Sequence, residues 1–85
     1  MPSYLYILQS ISSGKYYVGI SNNPDRRLTY HNTIEKGFTS RYRPWEIKYV
    51  KEYISRVEAM KVEKKIKSWK SRTMIEKVIS GEIVI

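Results

Sequence analysis

Apolar and polar side chains follow strand-like patterns in three segments of the chain. Residues 3–9 and 15–20 are rich in aromatic and β-branched side chains, so each is predicted to form a strand. The turn-forming residues 10–14 lie between them and favour an antiparallel hairpin. Residues 46–53 alternate charged and apolar side chains, which predicts a half-buried third strand.

Capping residues predict where three helices begin. The predicted N-caps are Asn23, Ser55 and Ser71. The first helix then covers about 24–32, the second runs to about Trp69, and Gly81 ends a short third one. Residues 33–44 have no sustained period and are predicted to be a loop. The order β-β-α-β-α-α predicts one α+β domain over residues 1–85, a three-stranded antiparallel sheet flanked by helices.

The tyrosines of the predicted hairpin are the first candidates for chemistry. With a turn centred near Ile11–Ser12, Tyr6 and Tyr17 are predicted to lie nearly opposite each other. Cross-strand aromatic pairs stabilise sheets by about 0.2–1 kcal/mol. Packing alone is therefore sufficient to explain these tyrosines.

Positive charge points to a polyanionic partner. Lys and Arg number 16 against 8 Asp and Glu, giving a net charge of +8 in 85 residues. The residues predicted to hold a nucleic-acid backbone are Arg41, Arg43, Lys61, Lys64, Lys65, Lys67, Lys70 and Arg72. The same charges also fit a solvated helix face, and they do not separate a nuclease from a passive binder.

Other compositional features exclude several protein classes. The chain has no cysteine, which excludes disulfides and zinc–thiolate sites. No apolar run approaches the roughly 18 residues of a membrane span, and the amino terminus lacks the pattern of a secretory signal. We expect a cytoplasmic protein that does not associate with membranes.

Arg27 and His31 lie four residues apart on the first predicted helix and so share a face. Arg grips phosphate through a planar fork of donors that stays charged. His31, the single histidine, suits the role of donor, of base or of neither.

Glu63 is predicted to face the protein body. It lies about 40° from Ala59 around the second helix, beside the apolar arc that contains Ile66. A buried carboxylate needs a partner, because an unpaired buried charge costs several kcal/mol. A metal ion, an arginine, protonation or a structural salt bridge would each meet that need.

Together these residues resemble the signature of the GIY-YIG nucleases. Tyr4–Tyr6 and Tyr17–Gly19 are similar to the family's paired tripeptides, while Arg27, His31 and Glu63 match its helical Arg, Tyr/His and metal-binding Glu. Residues 37–41 and 55–59 are most similar to the short stand-alone bacterial members, which resemble the amino-terminal nuclease domain of the excision-repair protein UvrC.

Three positions depart from that pattern. Tyr4 replaces the first glycine of the signature, and His31 replaces the tyrosine of UvrC-like members. Ile20 stands where UvrC-like enzymes have a lysine, which removes one group that would contact phosphate or tune Tyr17.

The resemblance implies a metal-dependent endonuclease linked to DNA repair or recombination. Glu63 would hold one Mg²⁺ or Mn²⁺, and Arg27 would clamp the phosphate. Tyr17 would accept the proton of the attacking water, which requires nearby positive charge because free Tyr has a pKa near 10. Tyr6 would orient that water, and His31 would act as an auxiliary donor or relay.

The expected partner is nucleic acid, DNA in preference to RNA, with a protein partner supplying specificity. Phe38 and Trp45 are candidates to stack on an unpaired base, although Trp45 is better explained by core packing. One alternative is a non-catalytic binding module of the same fold. Another is a small basic protein that packs against RNA, with purely structural tyrosines and Glu63.

Overall fold

The strands of the computed structural model, which describes residues 2–85, form one antiparallel sheet. The strands are β1 (Ser3–Ser10), β2 (Tyr16–Ser21) and β3 (Trp45–Tyr53). β1 is central and pairs antiparallel with both neighbours, in the order β2-β1-β3. This confirms the predicted α+β architecture; Met1, the first residue of the predicted domain, lies outside the described residues.

The helices begin at the predicted caps. They are α1 (Pro24–Thr33), α2 (Arg56–Trp69) and α3 (Arg72–Ser80). In each case the side chain of the preceding Asn23, Ser55 or Ser71 accepts a backbone N–H of the first turn. A 3₁₀ turn, Phe38–Arg41, forms inside the predicted loop. Among residues 2–85 no helix is both long and apolar enough to cross a membrane.

The hairpin register differs from the prediction by two residues. Tyr17 lies opposite Leu8, and Tyr6 lies opposite Gly19, so the two tyrosines are diagonal neighbours instead of facing each other. The turn is centred later than predicted because Gly14 adopts the left-handed conformation (φ 78°) that closes it. A shift of two residues leaves both side chains on the same face, and their rings lie 6.4 Å apart between centroids.

Both faces of the sheet are covered. One face packs the cluster of Leu5, Ile7 and Val18 against Ile66 of α2 and Val78 of α3. The other face packs the alternate residues of β1 and β2 against α1 and the segment before β3. Its core is Tyr6, Leu8 and Trp45, with Tyr17, Leu28, Tyr42 and Ile47 around them. The burial of Trp45, which is 2% exposed, confirms its predicted place in the core.

Candidate active site

The candidate site lies at the β2 edge of the sheet. Tyr6 and Tyr17 belong to the face covered by α1, while α2 packs on the other face. Lys67 of α2 nevertheless reaches Tyr17, with Nζ 5.8 Å from the ring centroid. Side chains of α2 therefore extend around the edge strand and meet the tyrosines.

A buried chain of hydrogen bonds joins β1, α1 and the 3₁₀ turn. The Tyr6 hydroxyl lies 3.0 Å from Nε2 of His31, and Nδ1 of the same ring lies 3.1 Å from the Thr39 hydroxyl. All three residues are at most 1% exposed. A neutral imidazole offers one donor and one acceptor, so these two bonds use both of its nitrogens.

Burial favours the neutral forms of the Tyr6 phenol and the His31 imidazole. It raises the pKa of Tyr6, and the nearby Arg27 guanidinium opposes that shift. It also lowers the pKa of His31, with the charge of Arg27 acting in the same direction. The carboxylate of Glu63 is close enough to contribute a small further increase in the pKa of Tyr6.

Gly19 allows Tyr6 to sit close to β2. A Cβ at this position would meet the Tyr6 hydroxyl oxygen at 2.6 Å and its ring carbon Cζ at 2.7 Å. Cε2 of Tyr17 would lie 3.1 Å away. The glycine of the second tripeptide is therefore required by the close packing of both tyrosines.

Arg27 is half-buried on α1, with its guanidinium 4.5 Å from the centroid of the Tyr30 ring. It lines a cleft of about 510 Å³ together with Arg56, Ser21 and Asn22. Two guanidinium groups at one cleft suit an anionic ligand such as a phosphate. Arg56 was not among the residues predicted for the site.

Glu63 has an ion-pair partner within its own helix. Its Oε2 accepts a hydrogen bond from Nζ of Lys67 at 3.1 Å, and the Glu63 side chain is 21% exposed. The sequence left four ways to satisfy this carboxylate: a metal ion, an arginine, protonation or a structural salt bridge. The structure shows the salt bridge. A partly exposed i,i+4 pair contributes only about 0.3–0.5 kcal/mol, so a stronger ligand for the carboxylate would displace Lys67 readily.

The predicted nucleic-acid-binding residues lie on α2, at the junction of α2 with α3 and in the segment before β3. Lys67, Lys70 and Arg72 line a cleft beside Tyr17, whereas Lys61, Lys64 and Lys65 are exposed on the side of α2 opposite the buried Ile66. Arg41 is exposed at the end of the 3₁₀ turn.

Arg43 is engaged in holding the fold together. Its Nε donates to the carbonyl oxygen of His31 at 2.7 Å, and its Nη2 donates to the carbonyl oxygen of Glu35. These bonds fix the end of α1 and leave less of the guanidinium for a ligand.

Two contacts at the site were missed from the sequence. Lys67 was predicted only to bind nucleic acid, although its spacing of four from Glu63 is the spacing of a helical ion pair. Thr39, which supports His31, lies in a segment without periodicity. The resemblance of residues 37–41 to the short bacterial members marks the segment but does not indicate this contact.

The family model of the GIY-YIG catalytic domain matches residues 2–77. The chain belongs to the GIY-YIG family. The structure places the residues that match the signature, Tyr6, Tyr17, Arg27, His31 and Glu63, around the same edge of the sheet. Their roles in catalysis stay predictions.

Similar proteins include both short bacterial chains and parts of larger nucleases. The chain is 40% identical to UPF0213 protein OB0043 of Oceanobacillus iheyensis, an alignment that covers 75% of this chain and 74% of the relative. It is 38% identical to the structure-specific endonuclease subunit slx1 of Aspergillus clavatus, covering 68% of this chain but only 15% of that protein.

A solved structure shares the fold. The solution structure of UPF0213 protein BH0048 from Bacillus halodurans matches with a TM-score of 0.60 and 31% sequence identity. The match covers 94% of this chain and 84% of that one. The family of nucleases and the three-stranded α+β fold are thus shared with known proteins.

Proposed function

We propose that this protein is an endonuclease that hydrolyses phosphodiester bonds in nucleic acid and binds one Mg²⁺ or Mn²⁺ through Glu63. The observation that carries the proposal is the approach of the Glu63 carboxylate on α2 to Tyr6 of the sheet, with the half-buried Arg27 beside the same tyrosine. Purely structural tyrosines would need neither charged group.

The donor set fits a metal ion that is held mainly by water and substrate. No group of three His, Cys, Asp or Glu side chains among residues 2–85 is arranged to bind a metal. Mg²⁺ is commonly bound by one or two carboxylates, with waters and substrate phosphates completing its shell. When bound, such an ion would neutralise charge on the phosphate and stabilise the leaving oxygen.

The chain's own residues would position and deprotonate the attacking water. Arg27 would hold the non-bridging phosphate oxygens as negative charge builds up. Tyr17 would take the proton of a water whose oxygen forms the new bond to phosphorus, while the bond to the leaving oxygen breaks in line. Lys67, whose Nζ lies 5.8 Å from the centroid of the Tyr17 ring, would be the cation beside this residue in place of the lysine that UvrC-like enzymes have at the position of Ile20.

Tyr6 and His31 would act as positioning residues. Both are at most 1% exposed and are hydrogen-bonded to each other. We propose that they fix the position of the Tyr17 ring, whose centroid lies 4.8 Å from that of the His31 ring.

A second candidate function is a binding module without catalysis. The ion pair between Glu63 and Lys67 favours it, because it satisfies the carboxylate without any metal. The same clefts would then bind irregular nucleic-acid structures and leave them intact.

The names of two fungal relatives support a proposal about the biological setting. The name of the fungal proteins, structure-specific endonuclease subunit, describes an assembly acting on nucleic-acid structure. We therefore propose a role in DNA repair or recombination, on DNA in preference to RNA, with a protein partner that contributes specificity.

Cleavage assays with matched variants test the proposal. Labelled branched, flapped and single-stranded DNA and RNA would be incubated at low salt with Mg²⁺ or Mn²⁺. We expect metal-dependent cutting that falls at least about a hundredfold in Glu63→Gln. Glu58→Gln, which removes the same charge from an exposed position of α2, should cut normally.

The remaining outcomes are also informative. Equal cutting by the parent and Glu63→Gln would identify a contaminating nuclease. Binding without cutting by either protein, in every metal and substrate tested, would favour the binding module.

A further inference from the structure

A second cleft opens directly beside Tyr17, between β2 and the junction of α2 with α3. Its volume is about 420 Å³, within the range of about 300–1,000 Å³ typical of small-molecule sites. Its lining combines a mainly apolar interior with a basic rim: Tyr16, Val18, Ile66 and Ile75 on the inside, and Lys15, Lys67, Lys70 and Arg72 on the outside. None of its described lining residues is a carboxylate.

Phe38 forms one edge of this cleft and is only partly packed. The ring is 49% exposed, although the neighbouring Trp45 is buried. It lies nearly parallel to the Tyr17 ring, with an interplanar angle of 24° and centroids 6.4 Å apart. An exposed aromatic face held in a fixed orientation is the kind of surface on which a nucleobase stacks.

Lys70 presents its charge from a backbone conformation that glycine usually occupies. It is the C-cap of α2, with φ 47° and ψ 41° in the left-handed region. Gly is the common residue at such helix ends because a side chain is disfavoured there. A lysine at this position costs stability and places an amine at the rim of the cleft.

We infer that this cleft accepts one unpaired nucleobase next to the phosphate that is cut, and that Phe38 selects for it by stacking. The inference rests on the proposed function, because Tyr17 places the cleft next to the reacting group. A nucleotide combines the flat apolar surface and the anionic group that the interior and the rim require. A paired base is already stacked within its duplex, so the cleft favours flaps, bulges and single strands.

Lys15 and Lys70 would contact the phosphates that flank the unpaired base. Arg72 is less available, because it donates to the carbonyl oxygen of Gly14 at 2.8 Å and pairs with Glu76. Lys15 lies 5.2 Å from the Tyr42 ring centroid and has no carboxylate within ion-pair distance among the described pairs.

The test uses a fluorescent base and measures binding without cleavage. Glu63→Gln protein, in the absence of divalent metal, would be titrated into a flap that carries 2-aminopurine as its first unpaired base. The control is a nicked duplex of the same sequence with that base paired. Separate DNA and RNA flaps show which sugar the site accepts. We expect quenching of the flap fluorescence on binding and little change in the duplex.

Variants at Phe38 connect the signal to stacking. In the same background, Phe38→Ala should lose the quenching and bind the flap about 5- to 100-fold more weakly, with duplex binding changed less than about twofold. Phe38→Tyr should retain both properties. Ile54→Ala, which truncates another exposed apolar side chain away from the cleft, should behave like the parent.

Two results would overturn the inference. One is unquenched 2-aminopurine in both DNA and RNA flaps; the other is an equal loss of flap and duplex binding in Phe38→Ala. Since cleavage is not measured, failure here leaves the proposed nuclease intact, and a protein that never cuts can still show the base-binding cleft.

Discussion

Gly19 is the residue at which a single methyl group would disturb both tyrosines of the site. Its Cβ would lie only 2.6 Å from the Tyr6 hydroxyl oxygen, so Tyr6 or β2 would have to shift, and the hydrogen bond between Tyr6 and His31 would be disturbed. Overpacking of a buried site costs about 1–3 kcal/mol. We expect Gly19→Ala to lower the free energy of unfolding by that amount in urea denaturation, and to reduce cleavage in parallel.

Gly37→Ala is the matched control. There the new Cβ would meet only the end of the partly exposed Glu35 side chain, with the nearest carboxylate oxygen 3.2 Å away. We expect a change within about 0.5 kcal/mol. Equal effects of the two substitutions would mean that close packing at Gly19 is not what fixes Tyr6.

His31 makes stability depend on pH. Burial, and then the charge of Arg27, lower its pKa in the folded protein, whereas the unfolded chain takes up the proton near the ordinary value of about 6.5. The stabilisation is therefore complete above that value and is lost as the pH falls through it. We expect the free energy of unfolding to decrease between about pH 7 and pH 5, by at most about 1.4 kcal/mol per pH unit.

Substitution of this single histidine isolates its contribution. Unfolding of His31→Gln should show a weaker pH dependence over the same range. Glu35, whose pKa is lowered mainly by the backbone N–H of Gly37, titrates at more acidic pH and does not interfere. The same slope in both proteins would contradict the assignment of His31 as a buried neutral group.

The sequence predicted the orientation of Glu63 on its helix, but not the contacts that Glu63 and His31 make with neighbouring residues. The inward orientation of Glu63 follows from helical geometry, and its intermediate exposure agrees with it. Its pairing with Lys67 follows the i,i+4 rule. From the sequence alone, however, the same lysine could equally contact solvent or a ligand, so the rule did not select this pair. The contact of Thr39 with His31 depends on a tertiary fold that brings the 3₁₀ turn onto α1.

At the scale of elements, the junction of α2 and α3 combines strain with positive charge. Replacing Lys70, whose φ is 47°, with glycine should relieve a left-handed side-chain conformation. We expect Lys70→Gly to raise the free energy of unfolding by about 0.5–1 kcal/mol while weakening the binding of a flapped substrate. Urea denaturation and fluorescence anisotropy would measure the two effects.

Lys77→Gly is the control for that junction. It removes the same charge from the last turn of α3, where glycine is expected to destabilise the helix by about 0.5–1 kcal/mol. Lower stability of Lys70→Gly would mean that the side chain contributes to folding, and binding equal to that of the parent would mean that it makes no ligand contact.

Elements with a capping or periodic signal were predicted, whereas the register of the hairpin and the 3₁₀ turn were not. Each helix begins next to the predicted cap because the capping side chain satisfies N–H groups of its own first turn. The hairpin register was wrong because it depends on which residue closes the turn, and Gly14 does so. The 3₁₀ turn is held by the Trp45 indole, which donates to the Thr39 carbonyl oxygen at 2.8 Å.

At the scale of the whole molecule, a net charge of +8 attracts nucleic acid from every direction, but only some of that charge faces the site. Two triple variants with equal net charge distinguish long-range electrostatic attraction from direct contacts between lysines and phosphates. One replaces Lys15, Lys67 and Lys70 at the cleft with methionine, and the other replaces Lys61, Lys64 and Lys65 on the outer side of α2.

Salt dependence distinguishes the two variants because each neutralised phosphate contributes about −0.7 to −0.9 to the slope of log affinity against log salt. We expect the cleft variant to lose about two units of slope and the outer variant to lose less than one, as measured by anisotropy with a flapped substrate. A long-range field depends on total charge, so it would weaken binding equally in both. A larger loss of slope in the cleft variant would therefore locate the bound strand at the β2 edge. An equal loss in both, or a larger loss in the outer variant, would show that the bound strand does not follow the cleft.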